Sequence, residues 1–168
     1  MDRTELQALQ KPLKEQYREE PAAALITLRA DGKLDEEHIA CKVETGRALV
    51  EAGLHPATGG SGALACSGDM LLEALVACAG VTLRSVATSM ELDVKGSVHA
   101  EGDLDFRGTL GVDREAPVGF TAIRLRFDLA ADASQEELDK LLERTERYCV
   151  VGQTLAAGVP VEFSYSVS

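Results

Sequence analysis

Tryptophan is absent from this chain, and aromatic residues make up only 4% of its 168 positions. Its core must therefore be filled by aliphatic and small side chains, packed by shape and volume and not by ring stacking. Basic residues are scarce as well: 17 Lys and Arg stand against 28 Asp and Glu, a formal charge of −11. Nucleic acid and anionic membrane surfaces are held by clustered cations, so both are excluded as partners. The cysteines Cys41, Cys66, Cys78 and Cys149 form no CxxC pair, and His38, His55 and His99 are scattered, so no metal centre is expected. No apolar stretch follows Met1 in the manner of a secretion signal, and the default compartment is a reducing cytoplasm.

The 45% share of hydrophobic residues is enough for one domain, or one domain with an arm. Its longest apolar run is residues 65–91, ACSGDMLLEALVACAGVTLRSVATSME. At helical period Leu71, Leu75, Cys78 and Thr82 form one stripe, and most other faces are apolar too. Such a helix is expected to be buried all round and to run from Ser67 to Met90, roughly 36 Å, with Ser67 as N-cap. Glu73 inside the run and Arg84 near its end leave too short an apolar length for the roughly 20 residues a bilayer requires. A membrane span is not expected.

Residues 4–20 carry Leu6, Leu9, Leu13 and Tyr17 on a polar background, the pattern of an amphipathic helix kinked or divided at Pro12. The pattern then changes to period two. Ala24, Ile26 and Leu28 read as a strand, Asp31-Gly32 as a turn, and Ile39, Cys41, Val43 and Thr45 as the returning strand. A short third strand at Ala48–Val50 precedes an ordered loop, GLHPATGGSGALACSG. Strands over 94–103 and 121–129 follow the central helix, each with one wet face. Ser134 with Glu137 forms a capping box for a second helix, whose stripe is Leu138, Leu142, Thr145 and Cys149. Val161, Phe163, Tyr165 and Val167 alternate as a last strand. The order β-β-β-α-β-β-α-β indicates an α+β fold.

Two cysteines on the stripes of two helices meet when those helices pack together. Thiol redox chemistry uses that arrangement: one thiolate attacks an oxidant and becomes a sulfenic acid, and the second thiol condenses with it to a disulfide. The attacking thiol needs a lowered pKa, whereas apolar burial raises it, so a cation beside Cys78 is expected. From spacing alone, packed side chains are the stronger reading of Cys78 and Cys149. Cys41 and Cys66 read as structural, and His55 as a residue that orders its loop.

The segment SGDMLLEALVACAGVTLRSVA, from Ser67, resembles the central helix of the OsmC/Ohr family. There a Pro-x-Glu-Leu-Leu-x-Ala-Leu-x-Ala-Cys pattern delivers the peroxide-attacking cysteine. YCVVGQTL, from Tyr148, is similar to the family's second-cysteine motif, Cys-Pro-Val/Ile-x-x-Ser/Thr-Leu, and GLHPATGGSG looks like the Gly-rich approach to the helix. The resemblance covers residues 23–168 and implies an OsmC-like domain there, preceded by an N-terminal helical arm over residues 1–22. It implies curved antiparallel sheets wrapped around two central buried helices, and an intertwined homodimer with its two sites at the subunit interface. The implied activity is cofactor-free reduction of organic hydroperoxides, with re-reduction by a thiol donor that in some members is a lipoylated protein. Cys78 takes the place of the peroxidatic thiol, Cys149 of the resolving thiol, Arg29 of the activating arginine with Arg47 in reserve, and Asp69 of the family glutamate. Three positions depart from the pattern: Ser67 stands for a proline, Asp69 for the glutamate, and Val150 for the proline after the second cysteine. Two rival readings are a protein of this fold that binds an apolar small molecule and packs its cysteines, and an interaction module that works through the arm.

Overall fold

The structure is a computed structural model and describes residues 2–20, 31–34, 40–44, 49–111 and 113–166. Helix α1 (Arg3–Glu19) opens the chain and runs undivided through Pro12. Proline costs a helix one N–H bond and some crowding, and here that does not end it. Asp2 and Glu5 cap each other's backbone N–H at 2.8 and 2.9 Å. The expected stripe of Leu9, Leu13 and Tyr17 lies outside the described side chains. An exposed Arg3–Glu91 ion pair of 2.8 Å ties α1 to the turn that follows the central helix.

Four strands form the first sheet: β1 (Asp31–Leu34), β2 (Ala40–Glu44), β3 (Leu49–Gly53) and β4 (Ala65–Cys66), in that order. Asp31-Gly32 is not the expected turn. These residues open β1 and pair with Glu44 and Val43, so backbone pairing overrides the turn preference of the dipeptide. The strand expected at Ala24–Leu28 lies outside the described residues. The third strand is present and longer than expected, and β4 pairs with it in parallel. Between them Pro56–Thr58 makes a single 3-10 turn, capped by His55, whose Nδ1 accepts the Ala57 N–H at 3.0 Å.

Helix α2 (Ser67–Ser89) is the spine, starting one residue earlier than Ser67 as N-cap implies: Cys66 holds the N-cap position in an extended conformation, with no side-chain capping bond. Its buried residues are Leu75, Ala79, Leu83, Val86 and Ala87, a stripe at i, i+4, i+8, i+11 and i+12. The expectation of burial all round is corrected, because only that stripe is fully buried. Val81 on the opposite face is 73% exposed. By length and composition α2 could cross a membrane, yet its stripe is core, packed on β5, α4 and α5.

Strands β5 (Val94–Leu104) and β6 (Phe120–Ala131) form an antiparallel pair joined through the short helix α3 (Phe106–Thr109). One face sends Phe127, Leu129, Leu125 and Ile123 towards α2. The other carries charges, with Arg124 paired to Asp103 and Arg126 to Asp128. At Gly96, φ is +146 and a Cβ would stand 2.0 Å from the Asp128 carbonyl oxygen, so only glycine fits this close crossing. Helix α4 (Gln135–Tyr148) begins with the capping box foreseen at Ser134 and Glu137. The second helix does not continue through Cys149 as expected. It ends there, and α5 (Val150–Ala157) starts at once. The strand expected at Val161–Val167 is also corrected, since residues 159–166 have no regular structure in the single chain.

Leu141 is fully buried in the cluster of Leu83, Val86, Ala87 and Val94. Replacing it with Ala removes about 2–5 kcal/mol of stability, by lost transfer energy and the cavity left behind. The expected readout is a lower urea midpoint at unchanged slope, and a change under about 1 kcal/mol would show that this cluster does not hold α4 in place.

Candidate functional site

The α2 stripe that carries Leu75 and Ala79 brings Cys78 to the joint between α4 and α5. Leu75, Ala79 and Cys149 form one buried cluster, with Cys78 packed against it. Cys149 is 3% exposed, while Cys78 is half-buried. Gly152 allows this approach: a Cβ there would lie 3.3 Å from the Cys149 sulfur and 3.7 Å from a Leu75 methyl. The two thiols that the sequence assigns to separate helices are therefore packed in one cluster.

The joint itself is held by three bonds to one residue. The Cys149 N–H donates to Thr145 O at 2.9 Å, its carbonyl accepts from Gln153 N–H at 2.8 Å, and its sulfur caps α5 by accepting the Gly152 N–H at 3.4 Å. On α2, the Thr82 hydroxyl donates to the Cys78 carbonyl oxygen at 2.8 Å.

These contacts separate the two acidities. Burial is the largest influence on both thiols and disfavours the charged form. At Cys78 it is outweighed: the Val151 N–H, the Cys149 thiol, the Val150 N–H and the Thr82 hydroxyl all act on the sulfur, and its pKa falls below the ordinary thiol value. At Cys149 burial prevails over the Gly152 N–H. Donating its proton to Cys78, and the charge there, push it further up. The pair thus favours a thiolate at Cys78 beside a protonated thiol at Cys149.

A cavity of about 790 Å³ reaches the joint between α2, α4, α5 and β6. Leu75, Ala79, Ile123, Leu125 and Cys149 supply its apolar wall, and Arg126 is among its polar residues. Asp69 is elsewhere. It lies in the first turn of α2, roughly 13 Å before Cys78 at 1.5 Å per residue, and lines a second cavity with His55 and Cys66. His55 also stacks on Phe106 at 5.0 Å, consistent with a loop-ordering role. Arg29 and Arg47 lie outside the described residues. Among the described residues no group of three or more His, Cys, Asp or Glu is placed to hold a metal ion.

Sequence reading missed the α4–α5 joint and the part played by Thr82. Around Arg147-Tyr148-Cys149-Val150-Val151 no glycine or proline announces a break, and cysteine is not a residue type by which caps are recognised. Thr82 was detectable, since a threonine four residues after a cysteine on a helix places its hydroxyl against the preceding turn.

The divided acidities predict an order of labelling. When the protein is alkylated over a range of pH and the peptides are resolved by mass, Cys78 reaches half-modification below the pH of an exposed thiol and Cys149 above it. Cys149 labelling first as pH rises would reverse the assignment.

The comparisons with known proteins agree with this architecture. A family model described as OsmC-like protein matches residues 60–164. Among solved structures, an OsmC-like protein from Mycoplasma pneumoniae superposes with a TM-score of 0.64 at 17% identity, over 78% of this chain and 88% of that one. An OsmC-like protein of unknown function from Vibrio cholerae gives 0.62 at 15% identity, over 77% and 94%. A Legionella pneumophila protein described as an organic hydroperoxide resistance protein OsmC gives 0.54 at 16%, over 79% and 90%. No curated protein sequence matches. With a family model spanning both cysteines and most of the α+β body, this chain belongs to the OsmC-like family.

Proposed function

We propose that this protein is a thiol peroxidase that reduces organic hydroperoxides through Cys78 and Cys149 and so protects against oxidative stress. The observation that carries the reading is the divided pair: Cys78, favoured as thiolate, packed in one cluster with Cys149, favoured as thiol, which lines a largely apolar cavity. In the first step the Cys78 thiolate attacks the distal peroxide oxygen. The O–O bond breaks, the sulfur is oxidised to a sulfenic acid, and the alkoxide leaves with the electron pair, taking a proton from Cys149. The Cys149 thiolate then attacks the Cys78 sulfur. An S–S bond forms, hydroxide leaves and is protonated to water, and an external dithiol, such as a lipoylated protein, returns the disulfide to two thiols.

The reading includes the cytoplasmic setting, the division into an arm over 1–22 and a domain over 23–168, and an intertwined homodimer. Support for the dimer is exposed apolar surface: Val81 on α2, and Phe163 and Tyr165 in the tail at 95% and 91% exposure. In this reading Arg29, with Arg47 in reserve, takes the part of the family's activating arginine. Asp69 belongs to this reading only across the dimer, because in its own chain it lines the other cavity. The size of the cavity at Cys149 also favours a second reading, a protein that binds an apolar small molecule without redox chemistry.

Substitution separates the two. With a dithiol and an organic hydroperoxide, Cys78→Ser abolishes peroxide consumption, whereas Cys149→Ser allows one turnover and leaves a sulfenic acid that dimedone traps at Cys78. Undiminished consumption by Cys78→Ser would remove the peroxidase reading, and an intact protein that consumes no peroxide yet retains an apolar probe would favour the second.

A further inference from the structure

The cavity at Cys149 continues a second one along α2. That second cavity, of about 360 Å³, takes Gly68 and Leu72 from the helix where the first takes Leu75 and Ala79, so the two occupy successive turns of one element. Opposite α2 both are walled by the β5–β6 pair, the second by Gly102 and Leu104, the first by Ile123 and Leu125. They are two lengths of one trough between helix and sheet. Among the described residues Phe120 alone lines both. It opens β6 opposite Leu104, beside the register shift between Asp103 and Leu104, an irregularity of the kind that re-aims a side chain. Its ring fills a slot that two glycines leave. A Cβ on Gly102 would stand 2.6 Å from the ring's Cδ1 and 3.4 Å from a Leu72 methyl, and a Cβ on Gly68 would stand 3.5 Å from the ring's Cζ. The first distance is shorter than packed carbons allow, so the ring has its place only because residue 102 carries no side chain.

We propose that Phe120 is a partition in this trough, and that it sets how long an apolar tail a substrate at the cysteine pair can carry. The inference deepens the peroxidase reading and rests on it for the reaction, though not for the binding. It names Phe120 as the specificity residue: the ring meets the far end of the tail and not the reacting atoms. Each methylene taken out of water tightens binding by up to about fourfold. That gain is shared by ground state and transition state, so it raises kcat/KM. It stops where the tail meets the ring, because further carbons must turn out into water. Without the ring the tail runs on past Leu72 and Leu104 into the second cavity.

A series of chain lengths tests this on the full-length protein. Straight-chain primary alkyl hydroperoxides from butyl to hexadecyl are supplied with a dithiol, and kcat/KM is followed along the series. The unaltered protein climbs and then levels. Phe120→Ala moves the levelling point to longer chains, with a gain of about tenfold or more for the longest members and little change for butyl. Phe120→Leu, which keeps an apolar side chain of smaller reach, moves it less far. The alcohols of the same lengths, displacing an apolar fluorescent probe from Cys78→Ser protein, level at the same chain length and shift in the same way when Phe120→Ala is added. The partition is overturned by folded Phe120→Ala protein whose levelling point is unmoved in both assays, or whose values change by one factor at every chain length, the sign of a merely structural role. Should Phe120→Ala fail to fold, Phe120→Leu decides on the same criterion. A shift among the alcohols in a protein that consumes no hydroperoxide upholds the partition and rejects the peroxidase reading. Hydroperoxide consumption with an unmoved levelling point does the reverse.

Discussion

Leu75, Ala79 and Leu83 lie four residues apart on α2, and the rest of the body is assembled along that line. Below Leu83 the stripe meets Val94 and Leu141, which fixes β5 and α4; at Leu75 and Ala79 it meets Cys149, which fixes the joint between α4 and α5. Full burial of an aliphatic side chain contributes roughly 1.5–3 kcal/mol, so a few residues suffice to set the register of α2 against its neighbours. Cys78 is carried on the flank of this stripe, where it touches the core and still reaches solvent. The chemistry is thus a by-product of where the core places the edge of one helix.

The elements whose periodicity is reinforced by local bonds could be read from the residues alone. Ser134 and Glu137 marked the start of α4 because capping is a contact within four residues, and β5 and β6 alternate because their two faces see different surroundings. The features that depend on distant partners could not be read. Asp31-Gly32 has the composition of a turn but is drawn into a ladder by Glu44 and Val43. The apolar faces of α2 suggested complete burial, but the fully buried residues lie along only one of them. Val161, Phe163 and Tyr165 alternate as a strand does, but an extended segment becomes a strand only when a backbone lies beside it.

The candidate site divides in the same way. That Cys78 and Cys149 belong together was legible from their matching stripes and from the family motifs around them. What distinguishes one thiol from the other is the balance of burial and hydrogen bonding around each sulfur at the start of a short helix, which side-chain identity barely encodes. Asp69, read from the sequence as the stand-in for the family's carboxylate, lines a separate cavity with His55 and Cys66, because an unbroken helix cannot bring residues nine apart to one point.

Cys149 also has a mechanical duty, since its sulfur accepts the bond that starts α5. A sulfur joined covalently to a second sulfur is a poorer acceptor and must turn towards its new neighbour. In the proposed cycle, forming the disulfide would take this acceptor from the Gly152 N–H and loosen the first turn of α5, and reduction would wind it again. The redox state of two atoms would then be readable in the order of a backbone, where amide exchange or a protease can sense it.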